Sequence, residues 1–520
     1  MRLHLFAPLL FVGACATDPA TDTTEQNASV THGKDVWFKS TFGGEKLFSI
    51  ILPGPPFNLT LGLDAALTSP RDTRFTQYGL INDPDCVQGD ASSGYLDKCA
   101  DPESAGVVGV RKKIILTAGG PKVLVGVACA ACHAGLDAAN PPADPNHPTW
   151  ANIHATTGNQ YIQIGKLFGA HLSPHDPRKQ VFDTWAPGTV DTTAIESDGV
   201  NNPGIITQFF NTPERPYFDL TDNGLAIHVH RGGQGGEDDA GCEKAALRVY
   251  FNIGMCAAEC MVPHLANGPG GTQTPIDDAE CSSRCPDYVQ AKADVVDECA
   301  FMATNTPPAL PASYIDQGKA NHGREVFRKN CAGCHNNGEK LQDDTILSDD
   351  LIHPAAEIGT NSCRSKSTNW TAGHIWAEFS SDQYKARPTG GPGFYRDVPL
   401  TAVWATAPFF HNNRLGTYNG DPSINGRLAA YYDAMDQLLN PWKRDLLGSI
   451  LRTSDWIQIP TPLGPATLPA GTPVALFANA NPANPLENRC PDLVENEGHY
   501  YGALLSDKDK ESLVEFLKTK

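Results

Sequence analysis

Two copies of one short pattern constrain this chain more than any other feature of its sequence. Residues 129–133 and 331–335 each place two cysteines three positions apart and follow them directly with a histidine. This spacing is typical of covalent attachment of c-type haem, in which both thiols form thioethers and the histidine binds the iron. We therefore predict two covalently bound haem c groups, and the residues that hold them and their iron are Cys129, Cys132, His133, Cys331, Cys334 and His335. The alternative is a redox-active or disulfide-bonded cysteine pair that an unrelated histidine follows.

Length and charge limit the classes of protein to which the chain can belong. Its 520 residues exceed a usual single hydrophobic core, so two domains are expected. The 48 glycines and 41 prolines predict long connections between short helices. A net charge of −19 argues against nucleic acid or an anionic membrane face as a partner.

The N-terminus has the pattern of an export signal. Arg2 is followed by an apolar stretch, residues 3–12, which is too short to span a bilayer. Residues 12–15 resemble a bacterial lipoprotein signal, which makes Cys15 the acylated first residue of the mature chain and residues 16–33 a polar tether. This lipid anchor is then the only membrane contact. The alternative is a plain secretory signal with a later cleavage site, and both place the protein in the periplasm or cell envelope.

The remaining cysteines indicate an oxidising compartment. Fifteen cysteines, without Cys15 and the four haem thiols, leave an even number compatible with five disulfides. Two pairs are spaced four residues apart, which places both thiols on one helix face. Antiparallel packing of two such helices pairs Cys256 with Cys285 and Cys260 with Cys281, Cys242 with Cys299 can close the base, and Cys86 with Cys99 and Cys363 with Cys490 are left over. A four-thiolate metal site is the competing interpretation, although it favours closer cysteine spacing.

Proline-rich residues 305–313 predict a linker between two domains. Before it lies an N-terminal haem domain, residues 34–304, with a Cys-rich insertion at about residues 236–300. After it lies a C-terminal cytochrome c domain, residues 314–520, which begins with a helix into Cys331 and ends with a helix capped by Ser506. Amphipathic helices are also expected near residues 149–172 and 427–439. The predicted fold class is mainly α: two cytochrome c-type haem domains with long loops and a disulfide-rich helical insertion.

A segment of the C-terminal half resembles a known family. Residues 404–411 read WATAPFFH, and residues 406–411 resemble the TAPYxH segment of the bacterial di-haem cytochrome c peroxidase superfamily. With the preceding Trp404 and Ala405 the string is more similar to the di-haem rubber oxygenase-like branch. Residues 498–502, GHYYG, followed by a last helix are also similar to that branch. The resemblance covers mainly residues 318–520.

This resemblance implies different roles for the two haems. It implies that the C-terminal haem, on His335, is six-coordinate and handles electrons, and that the N-terminal haem, on His133, holds the peroxide or dioxygen site. Peroxidases use a methionine about a dozen residues after the TAPYxH histidine, and this sequence has none there. The oxygenase branch uses a late histidine, so the resemblance implies His499 as the distal ligand of the second haem, with Met435 as the alternative. His411 is then a residue beside the haem rather than a ligand, and the alternative is that it only makes a structural hydrogen bond in the same pocket.

The sequence does not decide which residue, if any, binds the iron of the first haem on its distal side. Possible ligands there are His154, His171, His175, His228, His230, His264, Met255 and Met261. A catalytic haem instead needs a vacant distal position. A peroxidase also needs an acid or base, for which Glu237 and Glu259 are candidates, whereas a dioxygenase acting on an apolar substrate needs a dry pocket, which Tyr217, Phe218, Tyr250 and Phe251 could line. Aromatic candidates for conduction between the haems are Trp150, Trp185, Trp376 and Trp404.

Two functions are consistent with these expectations. The first is an exported redox enzyme, peroxidase- or oxygenase-like, whose partners are a redox protein or a small oxidant, peroxide or dioxygen. The second is a pure electron-transfer cytochrome with two six-coordinate haems. A structural protein that uses haems only to stabilise its fold is a third, weaker interpretation.

Overall fold

The computed structural model describes residues 19–55, 57–117, 119–191, 201, 203–210, 218–219, 226–227, 242–266, 272–335, 352–370, 394–396, 400–461, 463–481 and 484–520. Several expectations fall outside these residues and stay predictions. They concern the signal with Cys15, and the residues His228, His230, Glu237, Tyr217 and Trp376, together with the side chain of Phe218.

The expectation of a mainly α protein built from two cytochrome c-type domains is wrong. The structure is 42% helical and 12% strand, a disulfide-rich mixture with many short strand pairs. Glycine and proline are turn residues that interrupt helical periodicity, so connections expected as loops fold back as hairpins. The antiparallel pairs of the described residues are Cys86–Val87 with Lys98–Cys99, Val110–Thr117 with Gly120–Val127, Gly135–Leu136 with Ile153–His154, Thr189–Val190 with Gly204–Ile205, Phe218–Asp219 with Ala226–Ile227, Leu265–Ala266 with Thr272–Gln273, Ile352–Pro354 with Phe394–Arg396, Ile457–Ile459 with Ala466–Leu468, and Ala480–Asn481 with Asn484–Asn488.

Most helices of the described residues are short. The α-helices are Pro19–Lys39, Leu63–Thr68, Arg71–Tyr78, Ala130–His133, Ile164–Gly169, Pro177–Phe182, Cys242–Asn252, Asp278–Arg284, Pro286–Met302, Gln317–Asn330, Ala355–Ile358, Cys363–Trp370, Ile424–Leu439, Ala475–Ala478 and Asp507–Leu517. The amphipathic helix expected over residues 149–172 is wrong: only Ile164–Gly169 is α-helical, because a glycine turn and a short strand precede it. The segment expected as a polar tether is helical from Pro19 onwards.

The N-terminal part is organised around two long helices. Pro19–Lys39 packs along Pro286–Met302 so closely that a Cβ on Gly33 would lie 1.8 Å from the backbone oxygen of Asp297. Trp37 extends from the first of these helices into the buried core, which also contains the first Cys-x-x-Cys-His segment. The helix pair therefore covers that segment.

The C-terminal part has a second core, built on the crossing of Gln317–Asn330 and Asp507–Leu517. A Cβ on Gly323 would lie 1.8 Å from the backbone oxygen of Ser512, so glycine permits the close approach of the two helices. Both expected helices are confirmed, and the side chain of Ser506 accepts a hydrogen bond from the backbone N–H of Asp509, as the expected N-cap. The helix expected around Met435 is also present, as Ile424–Leu439.

All five expected disulfides form. Three of them join the Cys-rich segment: Cys242 to Cys299, Cys256 to Cys285 and Cys260 to Cys281. The others join Cys86 to Cys99 and Cys363 to Cys490. Three of these sulfurs lie close enough together to hold a metal ion, but each is paired in a disulfide.

Within the described residues, no single helix is long and apolar enough to cross a membrane. One bent pair, Cys242–Asn252 with Ala257–His264, passes the same test by length and composition only, with an angle of 91° between its helices.

Candidate functional site

The second Cys-x-x-Cys-His segment lies at the end of a helix. The backbone N–H of Cys331 donates to the carbonyl of Phe327, and that of His335 donates to the carbonyl of Cys331, both at 2.8 Å. The chain thus continues in a tight turn beyond Gln317–Asn330, which keeps the two thiols and the imidazole in one compact turn.

This segment opens onto a cavity of about 340 Å³. Its walls combine the segment with apolar side chains from both ends of the C-terminal part; they include Phe327, Val403, Phe409, Phe410, Leu439, Leu513 and Leu517. The few polar rings in the wall are those of His335, His353, Tyr395, His411, Tyr501 and His499. An apolar pocket with a small number of placed polar groups is typical of a cofactor site.

The imidazoles of His335 and His499 both line this cavity and lie close to each other. Their ring centres are 6.1 Å apart, with 42° between the ring planes. Two imidazoles that bind one metal ion from opposite sides, each at a nitrogen–metal distance of about 2 Å, have ring centres roughly 6 Å apart. The separation therefore fits one ion between the rings.

His499 is in the chemical form that binds metals. Burial, followed by the charges of His335 and Arg444, lowers the pKa of His499 to about 4, so the ring is neutral at physiological pH. Its Nδ1 atom is buried without a hydrogen-bond partner, although buried ring nitrogens are normally satisfied. An unmet polar atom at this position is consistent with a binding partner for the ring.

The alternative ligand lies in the same cavity. Met435 is almost fully buried in Ile424–Leu439 and contributes to the cavity wall. His499 and Met435, the two distal ligands proposed from the sequence, therefore both line the cavity at the second site. The separation of 6.1 Å between the ring centres of His335 and His499 favours His499 over Met435 as the second ligand.

His411 contributes to the wall of the cavity through a different contact. Its ring stacks on Tyr395, with centres 5.1 Å apart and 25° between the planes. Burial, followed by the charge of Arg364, lowers the pKa of His411 to about 3, so this imidazole is neutral too. The hydroxyl of Tyr395 donates to the backbone carbonyl of Asn361, which fixes the partner ring.

The first Cys-x-x-Cys-His segment is a single helical turn within the larger core. The ring of His133 contacts those of Trp37 and Phe209, with centre distances of 5.8 and 5.0 Å, and these two aromatic rings also contact each other. Its Nδ1 lies 2.8 Å from the carbonyl of Thr207, and burial lowers its pKa to about 4. Because a carbonyl only accepts, Nδ1–H donates, and Nε2 of the neutral ring has its lone pair left for a metal. Metal-binding histidines commonly make this backbone contact.

Most described histidines proposed for the distal side of this segment contact other groups. Both ring nitrogens of His154 are engaged, Nδ1 by the N–H of Thr156 at 3.2 Å and Nε2 by the carbonyl of Thr306 at 2.8 Å. His171 lies 3.2 Å from Asp64, His175 stacks on Trp456, and His264 bonds Thr274. Met255 and Met261 are fully buried in the core that contains Cys129.

A buried acid beside Cys129 was missed by sequence reasoning. The hydroxyl of Tyr250 donates to Oε1 of Glu298 at 2.9 Å, and both side chains are fully buried. Burial raises the pKa of Glu298 to about 7, while hydrogen bonds from Tyr250 and Cys129 act in the opposite direction. Its Oε2 has no hydrogen-bond partner. The available signal was the position of Glu298 on the buried face of Pro286–Met302, between Val295 and Met302.

The acid and aromatic candidates from the sequence lie elsewhere. Glu259 pairs with Lys46 at 2.9 Å near the surface. Phe251 packs against Tyr288, 5.3 Å between ring centres. Trp150 is partly exposed, Trp185 is buried among phenylalanines, and Trp404 donates to the carbonyl of Pro308.

The cysteines separate cleanly into two groups. Among the described residues ten cysteines form disulfides, and the four that form none are Cys129, Cys132, Cys331 and Cys334. The described thiols outside the disulfides are thus those of the two repeated segments. No protein family, curated protein or solved structure matches this chain.

Proposed function

We propose that this chain is an exported di-haem c-type cytochrome that acts as a redox enzyme. One haem c is attached through Cys129 and Cys132, with His133 as an iron ligand. The other is attached through Cys331 and Cys334, with His335 in that role. The observation that carries the proposal is the mainly apolar cavity lined by both thiols of the second segment and by the imidazoles of His335 and His499, whose ring centres are 6.1 Å apart. When bound, haem supplies reversible one-electron chemistry of iron.

The second site is suited to electron transfer. His335 and His499 provide two imidazole nitrogens as ligands, and the walls around them are mainly apolar. Two histidine ligands hold iron at a lower potential than a histidine and a methionine, because the thioether raises the potential. We therefore assign a low-potential electron-transfer role to this site.

The first site is the proposed position of the chemistry on peroxide or dioxygen. His133 supplies one ligand, and the contacts of His154, His171, His175 and His264 with other groups leave them poorly placed as a second. The Glu298–Tyr250 pair adds a group that can hold or release a proton near Cys129. The resemblance of residues 404–411 to the di-haem peroxidase and rubber oxygenase-like proteins supports the same assignment.

A pure electron-transfer cytochrome is the second candidate. The observation that favours it is the burial of Met255 and Met261 in the core around Cys129, since either thioether could fill the distal position. Both candidates use a redox partner protein. A small oxidant is a substrate only for the first.

The five disulfides are compatible with an exported protein, because cytosolic reductants keep such pairs reduced. The finer assignment is a proposal: lipid anchoring at Cys15, in the periplasm or cell envelope.

Electron paramagnetic resonance with optical titration of the purified protein tests the proposed function. We expect one low-spin ferric haem that is inert to oxidants, and one high-spin ferric haem whose signal changes with hydrogen peroxide or, after half-reduction, with dioxygen. Two low-spin signals that respond to neither oxidant contradict the enzyme and favour the carrier. A protein exported by a haem-attaching host that carries no covalent haem contradicts both.

The ligand at the second site is tested by His499→Ala. We expect this variant to convert the second haem from low-spin to high-spin, because one of the two imidazoles is removed, and to leave the first haem unchanged. Met435→Leu is the matched control and should keep both spectra. A low-spin second haem in His499→Ala together with a spectral change in Met435→Leu assigns the methionine instead.

A further inference from the structure

We propose that Arg444 is the positioning residue that holds His499 over the second attachment site. This inference rests on the proposed haem at Cys331 and Cys334, and it concerns how the chain presents its second imidazole. Arg444 touches neither the two thiols nor His335; it acts through the loop that contains His499.

One side of the guanidinium is fixed to a helix end. Nε of Arg444 donates to the carbonyl of Gln437 at 2.9 Å, and Nη2 donates to that of Leu438 at 3.2 Å. These carbonyls belong to the last turn of Ile424–Leu439, where intrahelical donors are lacking. A cation is also favoured at this end by the helix dipole. Arg444 is thereby anchored to a rigid element that borders the cavity.

The other side of the guanidinium holds the loop before His499. Nη1 donates to the carbonyl of Gly498 at 2.6 Å and to that of Asn496 at 3.1 Å. The guanidinium carbon also lies 5.4 Å from the ring centre of Tyr500 and 5.6 Å from that of Phe410. One side chain therefore contacts residues on both sides of His499 in sequence.

The backbone of His499 needs such support. His499 has a φ of +48°, a region that residues with a Cβ rarely adopt, and Gly498 before it has a φ of +82°. The N–H of His499 donates to the carbonyl of Ile358 at 2.7 Å. A Cβ on Gly498 would lie 2.2 Å from the backbone carbon of Gly359, so the loop rests directly on neighbouring backbone. The hydrogen bonds of Arg444 to Asn496 and Gly498 add to this restraint.

Burial of the charge of Arg444 costs desolvation free energy that an apolar side chain, filling the same space, would not cost. The side chain is 6% exposed, and within the described residues no carboxylate lies within 4 Å of its guanidinium nitrogens. An unpaired buried cation is normally avoided, whereas apolar residues fill a helix–loop junction at no such desolvation cost. What the guanidinium offers is its planar fork, which joins four carbonyls of two segments at once.

The experiment compares the spin state of the second haem in the holoprotein and its variants. Arg444→Gln removes the fork and the charge, Arg444→Lys keeps the charge alone, and Lys510→Gln is the matched control. Lys510 is a buried cation whose Nζ donates to Oδ1 of Asn440, at the C-terminal end of Ile424–Leu439, at 2.9 Å, rather than to the carbonyls of the His499 loop. All four proteins are examined by electron paramagnetic resonance, with and without added imidazole.

We expect Arg444→Gln to raise the high-spin fraction of the second haem. The fraction of molecules in which His499 does not bind the iron should be about tenfold to a hundredfold larger than in the unmodified protein. Arg444→Lys should show most of this effect, because one ammonium cannot reach both pairs of carbonyls. Added imidazole should restore the low-spin signal, since the attachment site itself is intact. Lys510→Gln and the first haem should be unchanged.

Two results overturn the inference. One is a fully low-spin second haem in both Arg444 variants. The other is a high-spin increase of the same size in Lys510→Gln, which would trace the effect to charge or general destabilisation. If Arg444→Gln does not fold, Arg444→Lys decides alone. Absence of covalent haem from the unmodified protein contradicts the proposed function itself, and a low-spin His499→Ala variant removes the ligand on which Arg444 acts.

Discussion

At the scale of single residues, burial governs the chemistry of both candidate sites. The imidazoles of His133, His411 and His499 all lose their charge because they are removed from water. The carboxyl of Glu298 responds in the opposite sense, because burial favours the neutral form of an acid. The three imidazoles are therefore uncharged at neutral pH, and the carboxyl of Glu298 is only partly ionised there. Uncharged imidazole binds metals, and a neutral carboxyl is a proton donor.

Glu298 makes stability depend on pH. Its folded pKa is about 7, above the ordinary value of 4.5, so between these limits the folded protein keeps a proton that the unfolded chain releases. The contribution of Glu298 to stability should therefore fall as the pH rises through this window, by roughly 1–3 kcal/mol, while the buried histidines contribute in the opposite sense. Glu298→Gln should remove this falling contribution, so that its stability at pH 8 relative to pH 5 is higher than that of the unmodified protein, measured by chemical denaturation.

The matched control is Glu259→Gln. The carboxylate of Glu259 pairs with Lys46 near the surface; its desolvation raises the pKa, but the hydrogen bond and charge of Lys46 together with backbone hydrogen bonds outweigh it, and the pKa is lowered. It therefore ionises below this window, and the stability of Glu259→Gln at pH 8 relative to pH 5 should equal that of the unmodified protein. The same result in Glu298→Gln would show that other buried acids, such as Glu495, cause the dependence.

At the scale of elements, glycine-mediated helix contacts shape the surroundings of both segments. Gly33 permits contact between Pro19–Lys39 and Pro286–Met302, and Gly323 permits contact between Gln317–Asn330 and Asp507–Leu517. Each close pair includes an element that reaches a Cys-x-x-Cys-His segment. The position of the segment therefore depends on how closely two helices approach.

The substitution Gly323→Ala tests this dependence. The new Cβ would meet the backbone of Ser512 and the Cβ of Phe516, so the helices must separate. We expect a loss of about 1–3 kcal/mol in the free energy of unfolding, as for other overpacked cores. Thermal or chemical denaturation measures it.

The same helix supplies the control for this substitution. A Cβ on Gly318 meets only one carboxylate oxygen of Asp316, at 3.3 Å. Gly318→Ala should be neutral or stabilising, because alanine favours helix more than glycine does. Equal destabilisation by both substitutions would exclude the helix contact as the cause.

At the scale of the whole molecule, the cysteines define the covalent state of the protein. Ten join the chain to itself, four are left in the two repeated segments, and Cys15 lies in the expected signal. The longest link, from Cys363 to Cys490, spans 127 residues and closes most of the C-terminal part. Disulfides of this kind restrict the unfolded chain.

Thiol titration of the denatured, unreduced holoprotein checks this state. We expect no reactive thiol, because ten cysteines are oxidised, four are thioethers, and Cys15 is either acylated or cleaved with the signal. Four reactive thiols would mean that the two Cys-x-x-Cys-His segments carry no haem and that all five disulfides are intact. More than four would contradict the disulfide assignment, and mass spectrometry of unreduced peptides identifies which pair is open.

Sequence alone determined the features that depend on short spacing or on covalent pairing. The two Cys-x-x-Cys-His segments, the cap at Ser506 and the helix around Met435 follow from local chemistry. The disulfide pairs followed from helix spacing and from the small number of cysteines left over. Each of these expectations needs only residues close in sequence, or residues that have few possible partners.

Only the tertiary structure decided which distant residues meet. His499 comes to face His335, Arg444 comes to hold the His499 loop, and Glu298 comes to lie beside Cys129. The expected fold class failed for the same reason, since a hairpin and a loop differ by pairings that composition does not encode. Local pattern reports which face of an element is buried, whereas the packing of the whole chain selects what that face touches.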